Sequence, residues 1–241
     1  MSGHSKWHNI QKTKGAADAK KAKIFTKYAR EMAIAIKEGG GADPNSNSKL
    51  AAVISRAKSE NVPNDNIKRT LDKYKSGAAT ENYEHVTYEG YGPGGVAVLV
   101  DALTDNKNRT VAEVRHYLDK YGKGMGASGC VSWQFDKKGV IVINGEDLDE
   151  ETVMMQALEA GAADFQVDEN IFEVYTDPDD FDTVKEALKA EGLEFLEAEI
   201  QMVPQTYTAL TNEDDIKNME KMLEVMEAND DIQDVWHNWE E

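Results

Sequence analysis

The apolar residues of this chain change their spacing near residue 78, and that change limits what the chain can fold into. Before it, apolar side chains recur at three- and four-residue steps, the period that lines one face of a helix. Phe25, Tyr28, Ala29, Met32 and Ile36 form one such set, Leu50, Val53, Ile54 and Ala57 a second, and Ile67, Leu71 and Tyr74 a third. Gly39-Gly40-Gly41 closes the first, because glycine readily takes the left-handed conformation used at helix C-termini. Asp43-Pro44-Asn45-Ser46 offers caps to the second helix. Pro63 suits the first turn of the third, where its missing N–H is not needed. The pattern predicts a helix over Ala16–Glu38 and two more behind it, in a small all-α unit ending near Ala78. Residues 1–15, polar and basic, read as an arm.

Beyond residue 78, strand-like runs take over. Residues 86–91 and 96–100 read as strands around the turn Gly92-Pro93-Gly94-Gly95. A helix fits 110–120, with Val111, Val114 and Leu118 inward. The glycine-rich stretch 122–129 lacks the Lys-Ser/Thr ending of a P-loop and leads into a strand, so it reads as a hinge. Strands are predicted at 131–135, 140–143, 165–167, 171–175 and 194–200, with helices over 150–160 and 181–190. From Val140 onward the order is β-α-β-β-α-β, that of a ferredoxin-like unit. The tail adds a strand at 206–210, a helix over 213–227 and a strand near 232–236. Neither the ββα piece before the glycine-rich stretch nor this tail closes a core alone, so the two are expected to pair. The predicted fold is α+β in three parts. These are a basic helical domain (1–78), a middle α/β domain (79–130 plus 203–241) and an inserted ferredoxin-like domain (131–202).

Charge is divided unevenly between these parts. The whole chain carries a net charge of −18. Residues 1–75 nevertheless hold 16 Lys+Arg against 7 Asp+Glu, while the remainder holds 11 against 38. A polyanion is therefore drawn to one end and repelled by the other. At 100° per residue, Lys20, Lys23, Lys27 and Arg30 fall within about 80° of one another, opposite the apolar set of the same helix. This cationic ridge, with Lys6, Lys12 and Lys14 on the arm, is the candidate phosphate-binding surface. A lysine-rich helix face is as often simply solvated. Trp7, between Lys6 and His8, is placed either to stack on a base or to dock back on the helices. Asn108, Arg109 and Arg115 form a second amide-rich basic patch suited to phosphate or base-edge contacts; Asn108 as a helix cap is the competing reading.

Other chemistries find little footing. One cysteine, Cys130, excludes an internal disulfide and fits a reducing compartment. No window approaches 18 consecutive apolar residues, so no membrane span or membrane partner is expected. His4 and His8 lack a third ligand nearby, and no metal site or cofactor is expected. No nucleophile, base and acid stand in a recognisable motif, so neither an enzyme nor a small-molecule substrate is expected.

Distinctive motifs run along the chain: Ser2-Gly3-His4-Ser5-Lys6-Trp7-His8-Asn9-Ile10, Lys23-Ile24-Phe25-Thr26-Lys27 and Asn61-Val62-Pro63-Asn64-Asp65-Asn66-Ile67. Tyr88-Glu89-Gly90-Tyr91-Gly92-Pro93-Gly94-Gly95 and Leu103-Thr104-Asp105-Asn106-Lys107-Asn108-Arg109-Thr110-Val111 follow. Together these segments resemble the YebC/PmpR family. The resemblance implies the same three-domain division and a cytoplasmic, DNA-binding transcriptional regulator. Organellar relatives are described as translational activators, which makes a ribosome-associated factor binding ribosomal RNA the alternative. The partner expected is double-stranded DNA or, on that alternative, ribosomal RNA. The acidic domains would meet a protein partner or simply position the arm.

Overall fold

The computed structural model describes residues 17–79 and 81–240, with side chains described from residue 23 onward. The fold is mixed α+β, and the chain divides into two compact units.

The first unit comprises Gly15–Cys130 and Asn212–Val235. Its helical part begins with α1 (Ala17–Glu38), followed by α2 (Ser48–Ser59) and α3 (Asn64–Lys75). The expected apolar faces meet in one core of Met32, Ala35, Leu50, Val53, Ile54, Ala57, Val62 and Ile67. Asn47 sets the corner between α1 and α2. Its Oδ1 accepts the Leu50 N–H at 3.0 Å as the cap of α2. Its amide donates to the Ala35 and Gly41 carbonyls at 2.8 and 2.9 Å, tying the end of α1 and the turn after it to the start of α2. Gly39 must lack a side chain here, because a Cβ would lie 2.0 Å from Asn47 Oδ1.

This unit also carries a four-stranded sheet. β1 (Glu84–Tyr91) and β2 (Ala97–Thr104) form an antiparallel hairpin, and β3 (Gly124–Met125) pairs with the end of β1. The turn uses Gly94 and Gly95 at φ 63° and 86°. α4 (Lys107–Tyr121) buries Thr110, Val114 and Leu118. It starts a turn earlier than predicted because Asn106, not Asn108, caps it, accepting the Arg109 N–H at 3.1 Å. From the tail, α7 (Glu213–Glu227) packs Met219 and Met222 against Gly92, and β9 (Ile232–His237) joins β2.

The glycine-rich stretch is not the hinge that its composition suggests. β3 lies within it, and the Gly126 N–H donates to the Glu89 carbonyl at 2.8 Å. The Gly129 N–H donates to Glu89 Oε1 at 2.6 Å. A Cβ on Gly90 would stand 2.8 Å from the Gly124 carbonyl oxygen, so these glycines serve close backbone packing.

The second unit contains Val131–Thr211 and residues 236–240. Its main sheet, in the order β5-β6-β4-β7, is antiparallel throughout. The strands are β4 (Phe135–Asn144), β5 (Asp164–Asp168), β6 (Ile171–Thr176) and β7 (Phe195–Pro204). With α5 (Glu150–Glu159) and α6 (Phe181–Ala190) over Ile141, Ile143, Phe172 and Val174, this is the ferredoxin-like arrangement. Two details differ from expectation. Residues 132–134 form a 3₁₀ turn that buries Val131 and Phe135 on either side. The strand expected at 206–210 shrinks to β8 (Thr208–Ala209), which pairs in parallel with β10 (Trp239–Glu240) instead of entering the first unit's sheet.

Candidate nucleic-acid interface

Helical geometry places Lys23, Lys27 and Arg30 along one side of α1, as the sequence predicts, but acids and carbonyls from the tail already engage them. Lys23 Nζ donates to the Glu227 carbonyl at 2.7 Å. Burial lowers the Lys23 pKa, against the pull of the Glu227 and Asp234 carboxylates. Lys27 Nζ pairs with Asp234 at 2.9 Å. Arg30 Nη1 donates to the Leu103 and Asp230 carbonyls and to Asp231 Oδ1, at 2.7, 2.6 and 3.0 Å, and its guanidinium lies over the Tyr83 ring.

Asp231 is the hub of this contact. Its buried carboxylate also receives Arg109 Nε and Nη2 at 3.0 and 2.6 Å and the Thr110 hydroxyl at 2.9 Å. Burial pushes the Asp231 pKa up, but the hydrogen bonds from Arg109 and Thr110 and the two guanidiniums outweigh it and hold the carboxyl below its usual range. Arg109 also pairs with Asp105 at 2.8 Å, and its pKa is raised by both partners. Two of the expected phosphate contacts, Arg30 and Arg109, thus share one acid that joins α1, α4 and the start of β9.

Of the other predicted site residues, Lys6, Trp7, Lys12 and Lys14 lie outside the described residues. Lys20 falls within α1, with its side chain outside the described part. Asn108 and Arg115 are exposed on α4, and Arg115 forms no ion pair among the described residues.

Four cations not singled out by sequence stand free on the helical part. Lys58 on α2 and Lys68, Arg69 and Lys75 on α3 are exposed, and none forms an ion pair among the described residues. The signal that finds them is the same wheel applied to α3. Ile67, Leu71 and Tyr74 turn inward, which leaves Arg69 opposite them and Lys68 and Lys75 together on one flank. Arg69 also borders an open cleft of about 360 Å³ between α1, α3 and Tyr83.

A helical module joined to an antiparallel sheet, with exposed cations on the helices and a ferredoxin-like unit besides, defines a multidomain α+β protein whose positive charge is concentrated in its helical module. The chain belongs to the TACO1/YebC family: residues 5–77 match "TACO1/YebC protein N-terminal domain" and residues 83–239 match "TACO1/YebC second and third domain". It is 56% identical to a probable transcriptional regulatory protein of Ruminiclostridium cellulolyticum, covering all of this chain and 97% of that one. It is 54% identical to a protein of the same description in Clostridium botulinum (strain Okra), covering both chains fully. The crystal structure of a conserved hypothetical protein from Aquifex aeolicus is 40% identical. It superposes with a TM-score of 0.81 over 98% of this chain and 97% of that one.

Proposed function

We propose that this chain is a cytoplasmic, non-enzymatic regulatory protein that binds double-stranded DNA through a helical domain spanning residues 1–78. The observation that carries this reading is the free cationic group of Lys58, Lys68, Arg69 and Lys75 in a chain whose net charge is −18. Backbone phosphates are the polyanion that such a surface attracts. The relatives' description as probable transcriptional regulatory proteins supports it. In this reading Lys6, Lys12 and Lys14 of the arm and Lys20 of α1 add phosphate contacts, and Trp7 stacks on a base. Arg115 and Asn108 provide a further contact on α4. Lys23, Lys27, Arg30 and Arg109 reach phosphate only by giving up their acids, so they chiefly brace the domain. The middle α/β domain and the inserted ferredoxin-like domain carry the acidic charge and are available to a protein partner.

Neutralising about four phosphates makes log K fall against log salt with a slope of about −4 on B-DNA. The triple variant Lys68→Glu/Arg69→Glu/Lys75→Glu is expected to weaken duplex binding about 100-fold at low salt and to flatten that slope by about 3. Fluorescence anisotropy over a salt series reads both. Wild-type affinity in the triple variant would end this reading. Crosslinking in cells identifies the target: chromosomal sites support the DNA reading, whereas ribosomal RNA at one region would move the same surface to a translation factor.

A further inference from the structure

From the cleft between α1 and α3 we infer that the helical part holds a single unpaired nucleotide, its base between aromatic walls and its phosphate on Arg69. The inference rests on the nucleic-acid reading and specifies what part of a nucleic acid the domain recognises.

The cleft has the dimensions and chemistry for this. Its volume of about 360 Å³ is at the small end of ligand pockets, enough for a flat ring and its sugar but not a duplex. Phe25, Met32, Tyr74 and Tyr83 supply apolar and aromatic surface, and Asn66 and Thr70 supply polar groups at the wall. Among the described residues no acidic side chain lines it, although acids outnumber bases in this chain by 45 to 27. Three cations do line it, and they differ in availability. Arg30 is fastened to Asp231, with its guanidinium over the Tyr83 ring, 5.2 Å from the ring centre. Lys73 is paired with Glu81 at 2.6 Å. Arg69 alone of the three forms no ion pair among the described residues, and it is exposed. A cleft with an aromatic wall held in place, no carboxylate and one unpaired guanidinium at its edge matches a ring that carries an anion.

An uncharged aromatic metabolite would leave Arg69 without a role, and a peptide carboxylate would not need the depth of the aromatic wall. Stacking of one base on an aromatic side chain is worth about 1–3 kcal/mol by alanine substitution and tolerates any base. A preference for unpaired positions over paired ones follows, with little preference among sequences.

The experiment uses the full chain and matched duplexes, fully paired or carrying one bulged 2-aminopurine, each made as DNA and as RNA. The expected result is a preference of about tenfold or more for the bulged duplex, equivalent to about 1.4 kcal/mol, with the probe's fluorescence quenched on binding. Tyr83→Leu should remove the preference and the quenching while leaving affinity for the paired duplex. Arg69→Gln, at an exposed position where folding is not at stake, should reduce the preference severalfold. Whichever backbone, DNA or RNA, gives the larger preference identifies the source of the nucleotide. Equal affinity for bulged and paired duplexes would overturn the inference and leave phosphate binding standing. No binding to either would overturn both.

Discussion

Two basic faces of the helical part meet opposite fates. The ridge on α1 is satisfied from within the chain: Lys23 by the Glu227 carbonyl, Lys27 by Asp234, and Arg30 by Asp231. The face on α3 keeps Lys68, Arg69 and Lys75 exposed, with no such partners among the described residues. On a helical wheel the α1 ridge is the more impressive of the two. The difference teaches that a cationic stripe reports only that an anion is wanted, and the anion can belong to the protein itself. The α1 ridge acts as a clasp between the helical part and the segment from α7 to β9, while the α3 face keeps its charge for a ligand.

The largest effect that tests this contrast lies at Asp231. Replacing Asp231 by Ala strands two guanidiniums around a buried site, and removing one partner of a buried ion pair costs about 3–5 kcal/mol. Thermal unfolding should therefore show Tm lower by roughly 10 °C, whereas Arg69→Gln should leave Tm nearly unchanged. Equal Tm values for the two variants would erase the distinction between clasp and open face. The pH dependence sharpens it further. The Asp231 carboxyl sits below its unfolded value of 3.8, so its stabilising contribution is full above that pH and is lost as pH falls through the folded-state value. An Asp231→Asn chain should lack this acid-side loss.

A middle-sized effect is expected from Lys23→Glu/Lys27→Glu. It sets carboxylates against the Glu227 carbonyl and Asp234, and stability should fall by about 1–2 kcal/mol, from the lost partly exposed pair and the new repulsion. Duplex affinity, measured where the variant is folded, should fall far less than in the α3 triple variant. A loss as large as the triple variant's would mean that the clasp opens on the ligand and that both faces bind.

The smallest effect serves as a reference within the same sheet. His85 on β1 lies 3.7 Å from Asp101 on β2, and the neighbouring Asp101 carboxylate raises its pKa despite partial burial. A raised pKa means that stabilisation is full below the unfolded value of 6.5 and is lost as pH rises through the folded-state value. For so exposed a pair this amounts to a few tenths of a kcal/mol. A His85→Gln chain compared with wild type across neutral pH should show it as a Tm difference that fades toward alkaline pH. A difference that grows instead would reverse the sign given to this pair.

Much of the fold was legible because its signals are local. The three helices of the first 75 residues and the β-α-β-β-α-β order after Val140 follow from apolar spacing and turn residues within a few positions of each other. The glycine-rich stretch misled for an equally physical reason. Glycine marks both mobile backbone and backbone packed too closely for a Cβ, and Gly90 against Gly124 shows that the second applies here. The start of α4 was misplaced because Asn106 and Asn108 are equally good caps by composition, and only the backbone shows which one accepts the Arg109 N–H.

The sequence by itself therefore determined the element order, the α+β class and the concentration of positive charge at one end, all of them properties of neighbours along the chain. Only the tertiary structure decided which positive charges are spent. Lys23 and the carbonyl that holds it are 204 residues apart, and Arg30 and Arg109 converge on one aspartate from different elements. Coulomb attraction acts through space over a few ångströms, and folding alone determines which charges come that close.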